Sequence, residues 1–200
     1  MTSTQWFLRR AMVVVVVGLV MVLTACTGRG GGQLPPSAGF TGPASFGFSF
    51  SCEDRGGVNP PTGQLRLQLS YTDHGSNPLG SSFGIHGIAD TIDPVLESAI
   101  CIGQNPPPGG NELMFLGRYY LTSSPPSGFP STCPSRDSAI TPLCRFEVIM
   151  QDNDRNWAPS TGDYFQITLS SSTTLTSHFD PGMVLYTRGG VLSSGNLTVS

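Results

Sequence analysis

Lysine is absent from this 200-residue chain; all ten basic residues are arginines. Charge of either sign is scarce, at 12% of residues against about 25% in an average globular protein. With a net charge of −3 and no basic stripe, the chain cannot follow a phosphate backbone, which excludes nucleic acid as a partner. Its five cysteines include no C-x-x-C pair, so neither a zinc knuckle nor a thioredoxin-like redox site is indicated. Helical signals are nearly missing: Asp93-Pro94 before "VLESA" reads as a single capped turn. No internal repeat is evident. Polarity comes instead from Ser, Thr, Asn, 25 Gly and 17 Pro, a composition that favours short strands and many turns.

The one long hydrophobic run stands at the start. From Ala11 to Ala25 it is 15 residues long, short of the roughly 20 that a helical membrane span requires. Arg9 and Arg10 precede it, as in the charged region of a secretory signal. The run closes with Leu23-Thr24-Ala25-Cys26, which resembles the lipobox of bacterial lipoproteins. That resemblance implies removal of residues 1–25 and acylation of Cys26, hence a protein anchored in the membrane by lipid and not threaded through it. It implies a location on the outer face of the bacterial cytoplasmic membrane or in the cell envelope. The absence of lysine suggests a GC-rich genome and, with the lipobox, an actinobacterial source. Cleavage would leave eight arginines against thirteen acids, a net charge of −5.

Residues 26–44 read as the lipidated cysteine and a Gly/Pro tether, "TGRGGGQLPPSAGFTGPA", without apolar periodicity. As a flexible coil it would reach about 23 Å. Residues 45–200 then form one domain that reads in twos. Phe46, Phe48, Phe50 and Cys52 share one face of "FGFSFSC"; Leu65, Leu67, Leu69 and Tyr71 share one face of "GQLRLQLSY". Phe146, Val148 and Met150 alternate in the same way, as do Phe165, Ile167 and Leu169. Residues 112–121, apolar on both faces, suit a central strand; 83–90, 99–103, 183–187 and 196–199 are further candidates. Turn-rich stretches such as "NPPPGGN" separate them. The expected fold is all-β, an antiparallel β-sandwich or jelly roll of about eight strands, with a closed up-and-down β-barrel as the alternative.

After Cys26, four cysteines remain in an exported chain: Cys52, Cys101, Cys133 and Cys144. Three connectivities are open to them. Cys52–Cys101 with Cys133–Cys144 is favoured, the second bridge closing a Pro-rich loop. Chain entropy puts these at about 4 and 3 kcal/mol. The pieces "ASFGFSF", "PTGQLRLQLSYTDHG", "FEVIMQDND", "GDYFQITL" and "VLYTRGGVLSSGNLTV" together resemble the bacterial extracellular β-domain called post-COAP over residues 44–199. The Pro-rich segment 123–144 departs from that pattern. The resemblance implies a β-fold and no catalytic motif.

Three patterns carry candidate chemistry. Asp152, Asp154, Asn156 and Asp163 occupy positions 1, 3, 5 and 12 of an EF-hand-like loop, and clustered oxygens are what Ca²⁺ needs. Trp157 stands where such a loop needs glycine, however, and the flanks read as strands. A hairpin connection capped by its own Asp and Asn side chains is the plainer reading. Ser82 in "GSSFG" matches G-x-S-x-G, with His74, His86 or His178 as bases and Asp90 or Asp180 as orienters, but no helix pattern follows it. The same histidines show no metal-ligand spacing. No cofactor is expected beyond that candidate calcium. The expected function is therefore non-catalytic: an envelope interaction or structural module meeting a protein or glycan. The alternatives are a carrier of lipid or another apolar ligand and, less favoured, a serine hydrolase.

Overall fold

A computed structural model describes residues 26–53, 64–88, 111–133, 143–153, 162–173 and 183–199. They form nine strands: β1 (Cys26–Leu34), β2 (Ala44–Glu53), β3 (Gln64–Asp73), β4 (Phe83–Ile88), β5 (Glu112–Leu121), β6 (Cys144–Gln151), β7 (Tyr164–Ser170), β8 (Val184–Val191) and β9 (Ser194–Val199). All pairings are antiparallel, in one curled sheet of order β8-β7-β6-β5-β4-β3-β2-β1-β9. The all-β class holds. Strands β1 to β8 neighbour one another in sequence order, so the connectivity is that of the up-and-down alternative, with the half-barrel shape of a single sheet folded over itself.

The two edges of this sheet, β8 and β9, are separated in sequence only by Leu192 and Ser193. Leu192 N donates to Asp163 O at the start of β7, whereas Ser193 N and Oγ donate to Gln33 O on β1. The chain thus steps from one edge to the other within two residues, and β8 and β9 are halves of one nearly continuous segment. Leu197 of β9 and Tyr186 of β8 both face the interior.

The expected tether is corrected in its first half. Residues 26–34 are not a coil but β1, paired with β2 from Cys26↔Cys52 to Leu34↔Ala44 and with β9 from Gly28↔Val199 to Gln33↔Ser194. Four glycines hide its alternation. At Gly30 a glycine is required by close approach of backbone, since a Cβ there would lie 2.4 Å from Asn196 O of β9. Gly195 of β9 has φ +112°, and a Cβ on it would meet Gly31 O at 2.2 Å.

The alternating residues pack inward as expected. Phe46, Phe48 and Phe50 of β2, Leu67, Leu69 and Tyr71 of β3, Phe146, Val148 and Met150 of β6 and Phe165, Ile167 and Leu169 of β7 are all buried. The curl brings opposite walls into contact. Phe46 of β2 stacks on Phe165 of β7 with ring centroids 3.7 Å apart, and Phe115 of β5 lies 5.4 Å from Phe50 and 6.1 Å from Phe146. Such ring pairs add about 0.5–1.5 kcal/mol each beyond the area they bury. β5 lies centrally, and its outward residues Leu116 and Arg118 are buried along with the inward ones. The helical turn expected near Asp93 and the strand expected at 99–103 lie outside the described residues.

Candidate functional site

The seam where β9 runs free of a second strand is the first place to look, because backbone N–H groups there need acceptors. Leu197 and Val199 are each 1% exposed, beyond the reach of bulk water. Their N–H groups donate to carboxylates: Leu197 N to Asp163 Oδ2 at 2.7 Å and Val199 N to Asp152 Oδ2 at 3.1 Å. Asp163 Oδ1 accepts Asn153 N at 3.0 Å, so both oxygens are engaged. Asn153 Nδ2 donates to Gly162 O, and Asn111 Nδ2 donates to Asn153 Oδ1. Two of the four candidate calcium ligands are therefore buried side chains that complete a strand edge. Such charge-assisted bonds are short and about twice as strong as neutral ones. Asp154 and Asn156 lie outside the described residues. Among the described residues, no three of His, Cys, Asp and Glu converge as a metal-binding group.

A second buried polar cluster links β3 to β8 across the interior, and nothing in the sequence pattern announced it. Arg188 Nη1 lies 3.0 Å from Asp73 Oδ2, with both side chains fully enclosed. Tyr186 OH donates to the same oxygen at 2.7 Å; having spent its proton, Tyr186 accepts one from Tyr71 OH. Asp73 Oδ1 accepts Gly75 N at 3.1 Å. Arg188 Nη2 also donates to Pro35 O and Gly42 O, and the guanidinium lies 4.7 Å from the Phe40 ring centroid. The cluster therefore ties the β1–β2 connection to β8. Burial pushes the phenols of Tyr71 and Tyr186 well above the usual tyrosine range, and the Asp73 charge adds to both. Burial works against the Arg188 charge, but the hydrogen bond to Asp73 and the attraction of its carboxylate hold the arginine pKa above its ordinary value. The arrangement keeps a cation, an anion and two neutral phenols. It offers no activated nucleophile.

The disulfide Cys133–Cys144 is present, with Cα atoms 5.3 Å apart. It lies beside Tyr119, whose OH donates to Ser170 O at 3.1 Å and whose pKa is raised by burial. Cys101 lies outside the described residues, so the Cys52–Cys101 bridge does too.

Among the described residues, no contact joins Ser82 to His74 or His86. Ser82 is exposed at the end of the β3–β4 connection. His86 is on β4 with its ring 5.3 Å from that of Tyr120. His178, Asp90 and Asp180 lie outside the described residues. A different pair does meet: Ser45 Oγ and His74 Nε2 are 2.8 Å apart. An adjacent carboxylate, Asp73, is already held by Arg188, Tyr186 and Gly75 N, so it cannot orient that imidazole. No family model matches the chain, and neither a curated protein sequence nor a solved structure is significantly similar to it.

Proposed function

We propose that the chain is a lipid-anchored, non-catalytic β-module of a bacterial cell envelope, acylated at Cys26 after loss of residues 1–25, and that it meets an envelope protein or a glycan. The observation that carries this reading is the packing of aromatic rings across the interior of the described residues. Aromatic rings from opposite walls interlock there, Phe46 on Phe165 at 3.7 Å and Phe115 against Phe50 at 5.4 Å. A carrier needs a cavity of some hundreds of Å³ where these rings lie. The buried polar groups support the same reading, because Asp152, Asp163, Asp73 and Arg188 each serve to hold strands or connections together.

Native mass spectrometry of the full chain, purified in mild detergent from an actinobacterial host, tests the reading. Expected is a polypeptide beginning at residue 26, heavier by its acyl groups, with no further ligand. In Cys26→Ala the acyl mass is lost. A stoichiometric lipid adduct in addition to the anchor would replace the module by the carrier. Covalent capture of Ser82 or Ser45 by a fluorophosphonate would replace it by the hydrolase.

A further inference from the structure

The outer face of the sheet is covered on one half and open on the other. On β5 and β6 the outward residues Leu116, Arg118 and Arg145 are buried. On β9, β1, β2 and β3 the outward residues of 194–198, 29–33, 45–51 and 66–72 are exposed or half-buried. They are Ser, Thr, Asn, Gln, Gly and two Arg, with no carboxylate and no aliphatic side chain among them. Glu53 stands beyond them, at the end of β2.

Across these strands runs one row whose floor is nearly bare. The pairings Asn196↔Gly31, Gly31↔Gly47, Gly47↔Ser70, Ser70↔His86 and His86↔Tyr120 carry it across six strands, about 24 Å at the usual strand spacing. Arg29, Ser49 and Gln68 stand along one side and Gln33, Ser45 and Thr72 along the other, two rows about 13 Å apart. The half-buried rings of His86 and Tyr120, 5.3 Å apart, close one end. The result is a shallow trough following the outside of the curl.

Gly47 supplies a second, independent observation. Gly31 has a packing reason, since a Cβ there would lie 2.8 Å from Phe46 O. Gly47 has none: a Cβ on it would find nothing nearer than Gly30 O at 4.0 Å, and its φ is not positive. A glycine inside a strand weakens it, and one that the fold does not need marks the close approach of a ligand or another backbone.

We infer that the trough binds an uncharged polysaccharide, laid across β1 to β4 with one sugar ring over Gly47 and a terminal ring against Tyr120. Hydroxyl and amide side chains both donate and accept hydrogen bonds, as sugar hydroxyls do. An aromatic ring offers an apolar face to the C–H side of a sugar and a hydroxyl to its polar edge. The face lacks the apolar centre that a protein partner would fill. A single arginine on the trough's sides, among neutral groups, suits an uncharged chain better than a polyanion whose charge repeats along its length. The inference rests on the reading of the chain as a non-catalytic envelope module and names the class of its partner.

Surface plasmon resonance tests it on the full-length chain, purified in mild detergent from an actinobacterial host after its acyl mass has been recorded. The probe is polysaccharide released from that host's envelope, protease-treated, freed of acidic polymer by anion exchange and immobilised. Expected is binding of the wild-type chain that survives about 0.5 M salt. Gly47→Ile fills the floor with a residue that strands favour, so binding should be lost while Tm holds or rises. Tyr120→Ala should weaken binding roughly tenfold, as the loss of one aromatic contact does. A wild-type chain that does not bind overturns the inference, and so does binding unchanged in Gly47→Ile. Binding abolished by salt assigns the contact to charge and overturns it as well. Failure here is distinct from failure of the anchor. An acylated chain that does not bind loses the site and keeps the anchor, whereas a chain that binds without acyl mass keeps the site and loses the anchor.

Discussion

Removing the Asp163 carboxylate should destabilise the fold, because it completes the β9 edge. Asp163→Ala deletes two charge-assisted bonds, from Leu197 N at 2.7 Å and Asn153 N at 3.0 Å. Hydrogen bonds to charged groups contribute about 1.5–3 kcal/mol each. Asn153 is half-buried and regains part of its loss from water, whereas Leu197, 1% exposed, is left with an orphaned N–H. The expected loss is about 3–5 kcal/mol, or a fall in Tm of about 6–20 °C for a domain of this size. Asp163→Asn keeps one acceptor oxygen but turns an amide donor towards a second N–H, so about half of the loss should remain. Urea unfolding followed by circular dichroism reads the energies, and amide exchange reads Leu197 and Val199 individually. A loss below about 1 kcal/mol would refute the edge-completing role. So would a Tm that rises by several degrees with Ca²⁺ in the wild type and not in the variant, because the carboxylate would then be a metal ligand.

Phe46→Ala and Phe165→Ala should each cost about 3–5 kcal/mol in the same urea experiment, and the double variant should cost less than their sum by about 1 kcal/mol, since the rings stack on each other. Cys144→Ser opens the bridge to Cys133, eleven residues away, and should lower stability by about 3 kcal/mol, with no further effect of reductant on that bridge. Tyr71, Tyr119 and Tyr186 hold their protons more tightly folded than unfolded. Their contribution is complete below the unfolded tyrosine pKa near 10 and declines as pH rises above it, because the unfolded chain then releases protons that the folded one keeps. Absorbance at 295 nm should show these three phenols ionising only together with loss of structure; smooth ionisation in the folded protein near pH 10 would contradict the burial.

Strands whose inward positions carry large apolar groups were legible from sequence. The period-two pattern of 46–50, 65–71, 146–150 and 165–169 reads directly, and 112–121 was correctly read as central. Where the inward positions are glycines, the signal disappears. β1 places Gly28, Gly30 and Gly32 inward, leaving only Arg29, Gln33 and Leu34 to suggest alternation, so composition argued for a tether. The single curled sheet was also beyond the pattern, because strand order depends on which edges meet, and alternation says only which face is buried. At the connection 152–163 the oxygen-bearing residues were visible, but their task was not: their partners are backbone groups of β9, more than thirty residues away. The Asp73–Arg188 pair is hidden for the same reason, since its members are joined by the curl and by no local spacing.

The meeting of β1 with β9 ties the earliest residues of the folded body to the last ones, Gly28 to Val199. A chain leaving a ribosome or an export pore amino-end first has one side of β1 waiting for β9, the last of the nine strands to be delivered. Contacts so distant in sequence bring their reward only after a large loop has been closed, which makes the final step of folding slow. Until that step the glycine-rich first strand has few apolar side chains to hold it in place. Closure of the free side of β1 is therefore coupled to arrival of β9, and a nick or truncation within residues 194–199 would expose the β1 edge and strip Asp152 and Asp163 of their β9 partners.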